Sequence, residues 1–87
     1  MIKISERGGF TLTFENGYTA SVQFGYGNYC DNRNAGKYNT MQTECKNAEV
    51  ACIGPDGKLV HLVNDTVQGW MEPDELVKFL KWCSELK

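Results

Sequence analysis

Residues 10–24 read FTLTFENGYTASVQF, and the period of this stretch decides the fold. Phe10, Leu12 and Phe14 alternate with Thr11 and Thr13. After Asn16-Gly17, the residues Tyr18, Ala20, Val22 and Phe24 alternate with Thr19, Ser21 and Gln23. A period of two places successive side chains on opposite faces of a strand. Asn-Gly accepts positive φ at both central positions of a type I′ turn, so the stretch predicts a tight β-hairpin. One face of it is apolar. The other carries Thr, Ser and Gln and is expected to meet solvent or a partner.

Working outward, Ile2 and Ile4 predict a short strand ahead of the hairpin, joined to it through Arg7-Gly8-Gly9. Downstream, AEVACI (48–53) and KLVHLV (58–63) flank Gly54-Pro55-Asp56-Gly57. Proline presets φ and glycine accepts positive φ, so a second hairpin is predicted there. Its strands are apolar at more positions than the first pair, which suits a central place or cover on both faces.

Pro73 fits the first position of a helix, where a missing N–H costs nothing. Asp74 and Glu75 then complement the positive end of the helix dipole. Leu76, Phe79, Leu80, Cys83 and Leu86 recur at helical spacing and predict an apolar stripe on a helix of about residues 73–86. Val77 and Trp82 lie off the centre of that stripe. The expected fold is α+β: a single domain over residues 1–87, with a four- to five-stranded antiparallel sheet built from two hairpins and the C-terminal helix packed on one face.

Composition narrows the function. With 87 residues the chain makes one small core, and its 23% charged and 41% hydrophobic residues are those of a globular domain. No run approaches the roughly 18 apolar residues of a membrane span, which argues against a membrane protein. MIKISERGG has no apolar core of a signal peptide, so a cytoplasmic address is expected. Net charge is −2, and the nine Lys and Arg are scattered from Lys3 to Lys87. The absence of a basic stripe argues against direct nucleic-acid binding.

The four cysteines, Cys30, Cys45, Cys52 and Cys83, contain no CxxC pair, and His61 is the single histidine. Paired spacing is what structural zinc sites show. A Cys30/Cys45/His61 site can be drawn on paper, but no metal or other cofactor is expected. A cytosolic address argues against disulfides. Cys52 and Cys83 read as buried packing residues. A catalytic set is missing as well: His61 has no evident nucleophile partner, and Asp31 beside Cys30 raises a thiol pKa rather than lowering it. The chain is therefore expected not to be an enzyme.

The long loop, residues 25–47, has no period of either kind. Loops of this length in compact domains are usually functional or disordered. Three tyrosines, two cysteines and a methionine are not linker chemistry. Two readings stand. In one, Gly25 and Gly27 make a bulge at the strand end, Tyr29 and Cys30 tuck under the loop, and Asp31 and Asn32 cap a turn. In the other, Tyr26, Asn28, Tyr29, Asp31, Arg33 and Tyr38 form a contact surface, since large rigid rings beside adaptable polar groups bind well.

The segment SVQFGYGNYC (21–30), the strand AEVA (48–51) and DTVQGWMEPDELVKFLKW (65–82) together resemble small uncharacterised bacteriophage and prophage accessory proteins. Those proteins carry an S-V-Q-x-G-x-G-N-Y-C segment, a central A-E-V-A strand, and a V-x-G-W/Y segment leading into a P-x-E-L helix. The likeness covers about residues 10–30 and 48–82, and residues 31–47 fall outside it. It implies a phage accessory protein acting in the cytoplasm of the host cell, and assigns no residue a role.

Three functions compete. The first is a non-enzymatic inhibitor that binds a host defence protein or complex, for example CRISPR–Cas, with Tyr26, Tyr29, Arg33 and Tyr38 as anchors. The second is a sponge for a small nucleotide signal, with Gly25–Asn32 cradling a phosphate and Arg33 or Lys37 offsetting its charge. The third is a structural or regulatory phage module, such as a homodimer through a sheet edge. A redox role for the cysteines ranks fourth.

Overall fold

The computed structural model describes residues 1–35 and 43–87. The strands are β1 (Ile2–Ile4), β2 (Gly9–Thr13), β3 (Thr19–Gln23), β4 (Ala48–Ile53) and β5 (Val67–Met71), followed by the helix α1 (Pro73–Ser84). All four strand pairings are antiparallel, and the sheet order is β1-β2-β3-β4-β5, so each strand lies beside its neighbours in sequence. The α+β class, the antiparallel sheet and the packed C-terminal helix agree with the sequence expectation, and β1 to β4 stand where the period puts them, whereas β5 does not. Among the described residues no helix is long and apolar enough to cross a membrane.

The register explains the two faces. Ile4, Phe10, Val22, Val50 and Gln68 form one cross-strand row, and Lys3, Thr11, Ser21, Ala51 and Val67 form the next. Successive rows point to opposite faces. The first face carries the core: Ala20, Val22, Ala48, Val50, Cys52 and Met71 pack with Phe79 and Cys83 of α1. Burying a valine such as Val22 or Val50 stabilises by about 1.5–3 kcal/mol. The helix starts as its sequence requires, with Pro73 in the first turn, Asp74 and Glu75 beside it, and Lys81 in the last turn. It ends at Ser84, two residues short of the expected boundary.

The first hairpin differs from expectation in its turn. Phe14 N–H donates to the Tyr18 carbonyl at 2.9 Å, and Gly17 N–H to the Phe14 carbonyl at 3.0 Å. The loop is therefore three residues long, Glu15-Asn16-Gly17. Only Gly17 takes positive φ, at 87°, while Asn16 does not. This is a turn closed by a left-handed glycine rather than a type I′ turn. The reason lies in the Asn16 side chain. Its amide donates to the carbonyls of Cys83 and Leu86, both at 2.9 Å, and its oxygen accepts from Tyr18 N–H at 3.0 Å. The last carbonyls of a helix have no partner within it. Asn16 supplies one from the sheet.

The second hairpin is also corrected. Its turn forms: Gly54 N–H donates to the Lys58 carbonyl at 2.8 Å, and Gly57 has φ 83°. The segment 58–63 does not become a strand, however. Leu59 bridges Ile53, Val60 N–H donates to the Cys52 carbonyl, and the pairing stops there. Leu62 N–H closes a turn onto the Asp65 carbonyl, and β5 takes over the edge of β4 from Ala51 to Ala48. Val60 and Leu62 still pack against the core, whereas His61 and Val63 are exposed. The alternation is thus real but serves a connection rather than a ladder.

Two predictions follow from the core and its clamp. Asn16→Ala should lower the unfolding free energy by about 2 kcal/mol, read from urea midpoints, because the Cys83 and Leu86 carbonyls at the end of the chain lose the side-chain donor that ties them to the hairpin turn. Stability should also fall with alkaline pH. Burial pushes the Cys83 thiol up from its ordinary value of 9.0 to about 12. Between those values the unfolded thiol ionises and the folded one does not, which favours unfolding as pH rises above 9. Cys83→Ala should show a smaller drop in urea midpoint between pH 8 and pH 10.5 than the unaltered protein.

Candidate functional site

The segment after β3 is a compact hydrogen-bonded turn, not an open loop. Gly25 N–H donates to Asn28 Oδ1 at 3.0 Å, Gly27 N–H to the Arg33 carbonyl at 3.1 Å, and Arg33 N–H to the Cys30 carbonyl at 3.0 Å. Two further bonds tie it to the segment leading into β4. Asp31 N–H donates to Asn47 Oδ1 at 2.8 Å, and Asn32 Nδ2 donates to the Glu44 carbonyl at 3.1 Å. Tyr29 N–H donates to Glu49 Oε2 at 2.7 Å, which fixes the turn onto β4 itself.

Beside this turn, β5 is irregular. Ala48 pairs with Met71 and Val50 with Gln68, so Gly69 and Trp70 both lie opposite Glu49. One extra residue on a strand is a β-bulge, and bulges re-aim side chains. Trp70 has φ 50°, the single non-glycine residue with positive φ among those described. A bulky residue in the left-handed region is strained. Two contacts hold it there. Trp70 N–H donates to the Tyr29 carbonyl at 2.8 Å, and its ring stacks on Tyr29 with centroids 5.9 Å apart and planes 24° from parallel.

Gly69 makes the approach possible. A Cβ there would stand 2.5 Å from Tyr29 Cβ and 2.9 Å from the Tyr29 carbonyl oxygen. On the Tyr29 ring sits the Arg33 guanidinium, 4.6 Å from the centroid, with Nη1 donating to the Gly27 carbonyl at 3.1 Å. The result is a set of three contiguous side chains, Arg33, Tyr29 and Trp70. Tyr29 is 45% and Trp70 51% exposed. Exposed aromatic rings backed by hydrogen-bonded main chain are pre-ordered for contact, with little freedom left to lose on binding.

The residues singled out from sequence separate into groups. Tyr29 and Arg33 join the stack. Asn28 is half-buried and serves the turn through its side-chain acceptor. Asp31 is exposed at the joint with Asn47, and Tyr26 is exposed on the turn. Tyr38 lies outside the described residues. Of the two side chains expected to tuck under in the structural reading, Cys30 is buried and Tyr29 is not. Trp70, Gly69 and Glu49 belong to the site although the sequence pattern does not single them out. A glycine inside an otherwise apolar strand was the available signal, since it marks a bulge or a close backbone approach.

Other features offer less. The anion cradle suggested by Gly25-x-Gly27 is closed, because the amides of Gly25, Gly27, Asn28, Tyr29, Cys30 and Asp31 all donate within the protein. Burial pushes the Cys30 thiol up to about 11, the reverse of an activated nucleophile. His61 is exposed on the connection after β4. Among the described residues no three His, Cys, Asp or Glu side chains come together as a metal site. A shallow cleft of about 640 Å³ lies between the 61–63 segment, β5 and α1, lined by Leu62, Met71, Phe79 and Trp82 with Glu75 and Lys78.

No family model matches the chain, and no curated protein or solved structure gives a significant match to it. The reading of the site rests on its own geometry.

The strain at Trp70 can be measured. Trp70→Ala removes the stack and keeps a side chain in the left-handed region, whereas Trp70→Gly removes both. The glycine variant should be more stable than the alanine variant by about 1 kcal/mol in urea unfolding. Equal stability would mean that the left-handed backbone carries no cost.

Proposed function

We propose that this chain is a non-enzymatic protein-binding module whose contact surface is centred on Trp70, Tyr29 and Arg33, and that it acts by occluding a surface of a host defence protein or complex. The observation that carries the binding reading is the exposed Arg33–Tyr29–Trp70 stack, held by the bulge at Gly69-Trp70. Trp, Tyr and Arg are the residue types that dominate binding hot spots. The Tyr29 turn meets both signs of charge, Arg33 on the Tyr29 ring and Glu49 accepting from Tyr29 N–H, which suits a protein surface better than a polyanion. The defence setting and the host-cytoplasm address are part of this proposal and are inferred from the resemblance to phage accessory proteins.

The nucleotide sponge has weaker support. Its phosphate cradle is closed by internal hydrogen bonds, and the lining of the cleft beside α1 sets Glu75 as well as Lys78 around it.

The test is affinity capture of the tagged protein from lysate of a bacterial host, followed by mass spectrometry and titration of the purified target. Trp70→Ala combined with Tyr29→Ala should weaken binding by roughly 30-fold or more, the scale of a hot spot of about 2 kcal/mol. Single-residue controls on the far side of the molecule, such as Val77→Ala, should leave it unchanged. Wild-type affinity in the double variant would sink the proposal, as would a co-purified nucleotide in place of a protein.

A further inference from the structure

The four cysteines fall into two neighbouring pairs, and the pairs differ in access. Cys52 on β4 and Cys83 on α1 interact side chain to side chain inside the core, and both are 0% exposed. Cys30 and Cys45 interact in the same way, but beneath the candidate binding surface. Their proximity has independent support in the main chain. Tyr29 bonds to Glu49, Asp31 to Asn47 and Asn32 to Glu44, so the two segments run antiparallel with Cys30 and Cys45 inside the zipped region. Cys30 is 1% exposed and donates its thiol hydrogen to the Gly25 carbonyl at 3.7 Å, whereas Cys45 is only partly buried.

We propose that Cys30 and Cys45 are an oxidisable dithiol that closes to a disulfide by exchange with a low-molecular-weight disulfide such as oxidised glutathione, and that Cys52 and Cys83 stay reduced under the same conditions. Exchange begins with a thiolate that can reach the reagent. Cys45 is that thiol. Its thiolate attacks one sulfur of the reagent, the reagent's S–S bond breaks, and one glutathione thiolate leaves and takes up a proton. The Cys45 sulfur now carries a mixed disulfide. Cys30 gives its proton to solvent and attacks the Cys45 sulfur. The mixed S–S bond breaks and a second glutathione thiol departs. Two protein thiols are oxidised and one glutathione disulfide is reduced to two thiols. The Cys52/Cys83 pair has no member that the reagent can touch, so the first step is closed to it. In a reducing cytosol the dithiol stays open. Its closure ties the turn bearing Tyr29 and Arg33 to the segment leading into β4, whether or not a partner is bound.

The experiment is incubation of the folded protein with oxidised glutathione, acid quench, alkylation in denaturant and peptide mass mapping. The expected product has lost two hydrogens, shows a Cys30–Cys45 cross-linked peptide, and carries alkyl groups on Cys52 and Cys83. Cys30→Ala should halt at a stable glutathione adduct on Cys45. Cys45→Ser should give neither cross-link nor adduct at Cys30. A persistent glutathione adduct on Cys45 in the unaltered protein would overturn the proposal, as would a Cys52–Cys83 cross-link forming as fast, or four alkylated cysteines after prolonged incubation.

Discussion

A single helix of twelve residues, about 18 Å long, has to cover one face of a five-stranded sheet. Most of the molecule follows from that shortage of cover. Beneath the helix the sheet presents Ala20, Ala48, Val22, Val50 and Cys52, small enough to let it sit close. Around its rim Phe10, Phe14, Tyr18 and Phe24 extend the packing with larger rings. At the far edge, among the described residues, Ile2 and Ile4 of β1 remain 71% and 90% exposed although they lie in rows with Leu12 and Phe10. The lysine between them is the usual protection of an open edge, because an unpaired ammonium disfavours a second strand. A helix so short needs its position fixed. The Asn16 amide on its last carbonyls and Tyr18 Oη donating to the Lys87 carbonyl at 3.3 Å do this from the hairpin turn.

The opposite face carries Lys3, Thr11, Ser21 and Gln23 across β1 to β3, short or polar side chains that tolerate water, and Ala51 and Val67 across β4 and β5. Its one aromatic feature is imported. The turn after β3 folds back on β4 through the Tyr29–Glu49 bond, and the bulge in β5 turns Trp70 toward it. Strain at a bulky residue in the left-handed region is found where a structure over-determines a local conformation. Here that over-determination comes from Tyr29, whose carbonyl, ring and Cβ all meet Gly69 or Trp70.

Local pattern and long-range contact contributed unequally to what could be read. The alternation in residues 10–24 and the apolar stripe of 76–86 are local, and both elements stand where those patterns put them. The Asn-Gly turn was legible as a turn but not in its type, because Asn16 is held by carbonyls 67 and 70 residues away, in the last turn of α1 and just beyond it. The alternation in KLVHLV predicts a strand, but alternation reports burial, not hydrogen bonding. Val60 and Leu62 are indeed turned inward, yet β4 offers only one free edge and β5 occupies most of it. The short strand VQGWM was hidden by its glycine and by the bulge that breaks its period. Tyr29 and Arg33 were visible as residue types. The third member of the stack, Trp70 against Tyr29, was not, since only the fold brings residue 70 beside residue 29.

The meander order of the sheet bears on how the chain matures as it is made. Each strand pairs with the one synthesised just before it, so β1 to β5 can add in turn at a growing edge without waiting for distant sequence. The helix comes last. Until it docks, the Val22 and Val50 face has no cover and the Asn16 amide has no helix carbonyls to hold. During that interval the nascent sheet presents both an apolar face and an open edge, the state in which small β proteins associate wrongly. The contact between residue 16 and the helix end is thus also the event that closes a window of vulnerability during translation.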